Sequence, residues 1–215
     1  MAEADVLAGG VMTGGTVITG ANGASFFLWP LGILAVLSLA AVLFYRKGKK
    51  SFLYAMFVLD ILGVDALTKI WTVANLQQGK YVEFIPKLLN LTCVHNYGAA
   101  WSSFSGMRWF LVIITTVGLG ALCYLLWRVV RHPLGVWSLL AVIGGGIGNL
   151  LNRLFLGYVI DMIDLAFMDF PVFNVADMFV VCGTILAALY YLMFYEKCDA
   201  GNWSKKDEND PSPSN

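Results

Sequence analysis

"PLGVWSLLAVIGGGIGNLLNRLFLGYVID", residues 133–161, decides the fold. Residues 133–151 hold only Asn149 as a strongly polar member, and they approach the roughly 20 apolar residues a helix needs to cross the hydrocarbon core of a membrane. Gly144, Gly145, Gly146 and Gly148 suit a helix pressed closely against neighbouring helices in lipid. At the end of the span Asn149 and Arg153 stand four residues apart, on one helix face. Glycine packing and an arginine reaching to the interface would explain much of this. They do not explain why Asn149, Asn152 and Arg153 crowd so close to Asp161, and polar groups gathered at a membrane edge point to a functional site.

The rest of the chain agrees with a membrane setting. Of its 215 residues 59% are hydrophobic and 13% charged, about half the charged share of a soluble domain. Besides residues 133–151, four runs read as spans: 26–45, 51–71, 109–127 and 174–195. The expected fold class is an all-α integral membrane bundle of five transmembrane helices. Net charge is zero, and no basic run interleaved with aromatics suggests nucleic acid. Cys93, Cys123, Cys182 and Cys198 stand singly, without the spacing of a zinc site or disulfide framework. His95 and His132 are the only histidines, which excludes a histidine-rich metal site.

Lysine and arginine set the orientation. With the N-terminus outside, the inner segments hold nine basic residues, Arg46, Lys47, Lys49, Lys50, Arg128, Arg131, Lys197, Lys205 and Lys206; Lys69, Lys80, Lys87, Arg108 and Arg153 make five outside. Residues 1–25 contain no Lys or Arg, as a translocated tail should, and are expected to be disordered. A cleaved signal peptide within residues 1–45 would need a basic n-region, which is missing. The polar tail, residues 196–215, is expected to be a disordered cytoplasmic end. This orientation gathers Asp65, residues 72–108, Arg153 and the carboxylates Asp161, Asp164, Asp169 and Asp177 on the outer face.

Three further stretches on that face carry chemistry. "DALTK", residues 65–69, sets Asp65 one turn before Lys69, an arrangement favourable on any helix and equally a snorkelling lysine with a neutralising acid. "HNYGAAW", residues 95–101, follows a β-like run and offers Asn96, Gly98 and Ala100 in a loop; small residues there allow a peptide backbone to approach, and Asn-x-Gly is also an ordinary turn. "FNVAD", residues 173–177, starts the last span, with Asn174 as N-cap and Asp177 at the positive end of the helix dipole. A capping role alone accounts poorly for Asp161 being returned to the same edge. Asp164 and Asp169 read as solvated loop residues.

Taken in order, "DALTK", "NYGAAW", "GGGIGNLLNRLFLGYVID" and "FNVAD" resemble the signature boxes of lipoprotein signal peptidase, or signal peptidase II, over residues 53–195. The resemblance implies a four-helix membrane aspartic endopeptidase, here with one extra N-terminal helix at 26–45, a peptidase domain at 51–195 and a small extracytoplasmic β-containing segment. It implies cleavage of diacylglyceryl-modified prolipoproteins just before the lipidated cysteine. Asp161 and Asp177 would be the catalytic pair; Asp65, Lys69, Asn96, Gly98, Ala100, Asn149, Arg153 and Asn174 match positions that bind substrate or support the site. The implied enzyme is a monomer of the bacterial cytoplasmic membrane that works at the extracytoplasmic face beside lipid and needs no cofactor. Three positions depart from the family: Asn152 where Asp is usual, Met162 where Phe is usual, and the extra helix. Two other readings stand beside it: an inactive relative that binds lipoproteins, and a transporter using intramembrane carboxylates.

Overall fold

The computed structural model describes residues 10–13, 16–19, 50–99 and 103–200. Among these are four helices long and apolar enough to cross a membrane. They are α1 (Lys50–Asn75), α2 (Arg108–Arg128), α3 (Pro133–Phe155) and α4 (Val175–Tyr190), the last continued by a π-helical stretch, Tyr191–Tyr195, and a closing turn, Glu196–Cys198. The span expected at 26–45 lies outside the described residues. Within the N-terminal tail expected to be disordered, β1 (Gly10–Thr13) pairs antiparallel with β2 (Thr16–Thr19), two stretches rich in the β-branched residues that favour strands.

The glycine-rich helix α3 is the centre of the bundle. Of its apolar window 61% is buried inside the protein, against 11% for each of the other three. Residues such as Leu59, Ile113, Val117 and Ile185 leave apolar faces turned outward, as a lipid solvent requires. Two glycines show why α3 can sit so deep. A Cβ on Gly145 would collide with the carbonyl oxygen of Ala176 on α4, and one on Gly148 would lie 2.7 Å from Asp65 Oδ2 on α1. Backbone contact with two neighbours at once therefore depends on the missing side chains.

At one end of the bundle the chain forms a three-stranded antiparallel sheet in the order β3 (Val82–Ile85), β4 (Leu89–Asn96), β5 (Val159–Leu165). Its inner side packs on the end of α1, where Trp71, Leu76 and Cys93 form a buried cluster. The β4–β5 register slips between Leu91 and Val94 and then pairs Val94 with Asp161 and Asn96 with Val159. That pairing brings the loop after β4 beside the start of β5.

The other end is closed by a carboxylate from the C-terminal stretch expected to be disordered. Asp199 is buried. Its Oδ2 accepts from Arg131 N and His132 N, both at 3.1 Å, and from the Tyr190 hydroxyl at 2.6 Å. It thereby holds the N–H groups of the two residues that lead into α3 and ties them to Tyr190 at the end of α4. Ordered chain thus extends past the expected boundary at residue 195.

Candidate active site

The polar end of α3 faces the start of α4, the second half of α1 and the first turn of β5. Each element delivers its residues for a local reason. Asn174 is the N-cap of α4: its Oδ1 accepts from Asp177 N at 3.0 Å, while Asp177 Oδ2 accepts from Asn174 N at 3.1 Å. This is a complete capping box, so the ordinary reading of "FNVAD" is correct as far as it goes. The same side chains also reach outward. Asn174 Nδ2 donates to Asp161 Oδ1 at 2.6 Å and to Asn149 Oδ1 at 3.1 Å. Asn149 Nδ2 donates to Asp177 Oδ1 at 2.7 Å. One asparagine therefore touches both carboxylates, and a second holds one of them from α3.

Asp161 is 2% exposed and Asn174 is fully buried. From β4, Asn96 Nδ2 donates to Asp161 Oδ2 at 2.9 Å, and Asn96 Oδ1 accepts from Gly98 N at 2.9 Å. Burial pushes the Asp161 carboxyl up to about 6, the amide of Asn96 works against that rise, and the charge of Asp177 adds to it. A carboxyl so placed sits near the range where it can hold or release a proton at neutral pH.

The lysine of "DALTK" does not snorkel. Lys69 and Asp65 are each 2% exposed, joined at 2.7 Å. Lys69 Nζ also donates to Asn149 Oδ1 at 3.1 Å, and Asp65 Oδ1 accepts from Ala176 N at 3.1 Å. The pair faces inward because α3 and α4 offer it partners there, so it braces Asn149 and the start of α4.

Arg153 reaches the loop after β4, donating from Nη2 to Gly98 O at 2.9 Å. Its Nε is buried and has no hydrogen-bond partner among the described residues. Ala100, the remaining position singled out in that loop, lies outside the described residues. Asn152 holds the start of β5, where its Oδ1 accepts from Ile160 N at 3.3 Å, one residue before Asp161. A carboxylate oxygen would accept the same bond. Asp164 is not a solvated loop residue. It lies in β5 and accepts from its cross-strand partner Asn90, Nδ2 to Oδ2, at 2.8 Å. Asp169 is exposed, as expected. Reasoning from sequence did not single out Arg108, which donates from Nε to Arg153 O at 2.7 Å and from Nη2 to Leu154 O at 2.6 Å. Among the described residues no group of three or more His, Cys, Asp or Glu could hold a metal ion.

Comparisons with known proteins identify the family and the fold. A sequence model of the family described as Signal peptidase (SPase) II matches residues 56–193. The chain is 40% identical over 157 residues to the lipoprotein signal peptidase of Streptococcus pyogenes serotype M2 (strain MGAS10270) and 39% to that of serotype M5 (strain Manfredo), in each case covering 71% of this chain and 99% of the relative. Two solved structures, described as bacterial membrane enzymes determined by the in meso method, are similar in fold. One has a TM-score of 0.63 at 28% identity, covering 75% of this chain and 93% of that one; the other has 0.61 at 31%, covering 66% and 93%.

Proposed function

Since this chain belongs to the signal peptidase II family, we propose that it works as an aspartic endopeptidase with Asp161 and Asp177 as its catalytic pair. It is a multi-pass membrane protease that cleaves prolipoproteins. The observation that carries the proposal is the shared hold of Asn174 on both carboxylates, Asp161 through Nδ2 and Asp177 through the capping box.

Peptide hydrolysis needs a water deprotonated as it attacks and a proton delivered to the departing nitrogen. In this mechanism Asp161, whose burial favours the protonated form, and the half-buried Asp177 divide the work, the ionised member acting as base and the protonated member as acid. Each oxygen of Asp161 and Asp177 accepts one N–H bond and keeps a second lone pair for water or a proton. Arg153, with its buried Nε and its hold on Gly98, and Asn96 would orient the scissile peptide; Asp65, Lys69 and Asn149 hold the pair in place. No cofactor takes part in these steps.

The substrate in this reading is a diacylglyceryl-modified prolipoprotein cut just before the lipidated cysteine. Purified protein in lipid should release a product whose first residue is the modified cysteine and should leave the unmodified precursor essentially uncut; mass spectrometry of both digests decides. Equal cleavage of the unmodified precursor would overturn the lipid requirement.

We propose further that an additional span at 26–45 precedes the peptidase domain at 51–195, that 1–25 is a tail and 196–215 a polar C-terminal segment anchored at its start through Asp199, and that the protein is a monomer with its site at the extracytoplasmic face of the bacterial cytoplasmic membrane. Two findings support it: the excess of basic residues on the other side, and the gathering of the sheet, the end of α3 and the start of α4 at one end of the bundle. Single cysteines at Ala4 and Gln78, on a cysteine-free background, should react with an impermeant reagent in intact cells, and one at Ser204 only after permeabilisation. Reaction at Ser204 in intact cells would reverse the orientation.

A further inference from the structure

Arg108 opens α2, and its half-buried guanidinium reaches across to the end of α3. Nε donates to Arg153 O at 2.7 Å and Nη2 to Leu154 O at 2.6 Å. Carbonyls in the last turn of a helix lack partners within it, and that end carries the negative pole of the dipole. A planar fork with two donors suits two such oxygens in a way that a single ammonium does not.

Those carbonyls begin the turn that leads from α3 into β5. The same turn is fixed at two later points by Asn152: its backbone oxygen accepts from Leu156 N at 2.8 Å and Gly157 N at 3.2 Å, and its side chain holds Ile160 N. Gly157 has φ +89°, a left-handed conformation that suits glycine, and a Cβ there would lie 3.3 Å from Arg108 Nη1. Both ends of the turn carry chemistry. At its start Arg153 reaches Gly98, and just after Ile160 stands Asp161.

We infer that Arg108 is a positioning residue for peptide cleavage: by holding the Arg153 and Leu154 carbonyls it sets where Arg153 points and where β5 begins, and through them the placement of Asp161. This rests on Asp161 being catalytic. A staple that merely strengthened a helix end would change stability and leave turnover alone. Misplacement of a reacting group by about an ångström can cost on the order of 100-fold in rate. Substrate held largely by other contacts keeps its KM.

The test compares wild type, Arg108→Met, Arg108→Lys and Asp161→Asn, each purified in lipid and assayed on a fluorescent diacylglyceryl lipopeptide, with the melting temperature measured in parallel. Arg108→Met should lower kcat by roughly 10- to 100-fold with KM changed by no more than about twofold and melting close to wild type. Arg108→Lys, which keeps the charge and loses the fork, should fall between the two. Wild-type kcat in a folded Arg108→Met protein, a rise in KM alone, or a lower melting temperature with unchanged kcat would each overturn the inference. Should Arg108→Met fail to fold, the same criteria apply to Arg108→Lys. Asp161→Asn separates the two claims: cleavage by that variant removes the dyad itself, whereas an inert Asp161→Asn beside a fully active Arg108→Met removes only the role of Arg108.

Discussion

Asp161→Asn and Asp177→Asn are each expected to insert and fold and to lose cleavage by about 100- to 10,000-fold or more, with the double variant little worse than either single one, since residues acting as one unit are strongly non-additive. The structure lets the cost to folding be argued separately from the cost to chemistry. Both oxygens of Asp161 accept an amide N–H, from Asn96 and Asn174, and both oxygens of Asp177 accept one, from Asn149 Nδ2 and Asn174 N. An asparagine at either position can satisfy one donor and must turn its own N–H₂ toward the other. That conflict costs about 1 to 3 kcal/mol, set against relief from burying a charge, which at Asp161 is what raises the carboxyl to about 6. A purely structural N3 partner would survive such a change at Asp177, because an asparagine side-chain oxygen can still accept from Asn174 N. A pair that must pass a proton to the leaving nitrogen would not. Asp164→Asn and Asp169→Asn control for lost negative charge at the same edge. Asp164 is engaged with Asn90 across the β4–β5 pair and Asp169 is exposed, so both variants should cleave at close to the wild-type rate. Substantial cleavage of a diacylglyceryl-modified substrate by either of the first two variants, purified and folded, would sink the dyad.

What can be read from the sequence divides along a physical line. Long apolar runs announce helices in lipid whatever their neighbours are, so α1 to α4 lie within a few residues of the expected spans, and the glycines of α3 are the surfaces of contact that their spacing suggests. The capping box of Asn174 and Asp177 is legible for the same reason: it is satisfied within four residues of chain. Facing is another matter. "DALTK" has the same spacing whether Lys69 turns to the interface or inward, and only Asn149, 80 residues away, decides that it turns inward. Asp164 looks like one more loop carboxylate because its partner Asn90 is met across a strand pair that no local pattern announces. Arg108 reads as a loop charge, because exposed carbonyls at the end of α3 leave no mark in the letters of the sequence. Asn174 is legible as a cap and not as the bridge between Asp161 and Asp177.

Lys69→Met should be the most damaging single change to folding. The ammonium lies between Asp65 at 2.7 Å and Asn149 at 3.1 Å, and both members of the ion pair are almost wholly buried. Removing one member of such a pair leaves the other charge buried without compensation, at a cost of roughly 3 to 5 kcal/mol. Among the described residues the Asp65 carboxylate would keep only the N–H of Ala176, a favourable contact at the positive end of α4 but one that leaves Oδ2 without its counter-charge. Replacing both members changes the sign of the problem. Asp65→Leu combined with Lys69→Met buries no charge, and exchange of a buried ion pair for apolar residues of similar size is often neutral or stabilising, so the double variant should recover most of the melting temperature lost by Lys69→Met. Activity should not return with it. Lys69 is one of two donors that fix Asn149 Oδ1, and with that oxygen fixed the Nδ2 of Asn149 is turned to Asp177; loosening it should lower kcat by roughly 10- to 100-fold in a protein that again melts like wild type. Recovered stability with lost turnover would separate the two roles of the pair, bracing α1 against α4 and aiming the amide that holds Asp177. If Lys69→Met instead melted and cleaved like wild type, the lysine would be a snorkelling residue after all, and the buried network joining Asp65 to the two carboxylates would have to be abandoned.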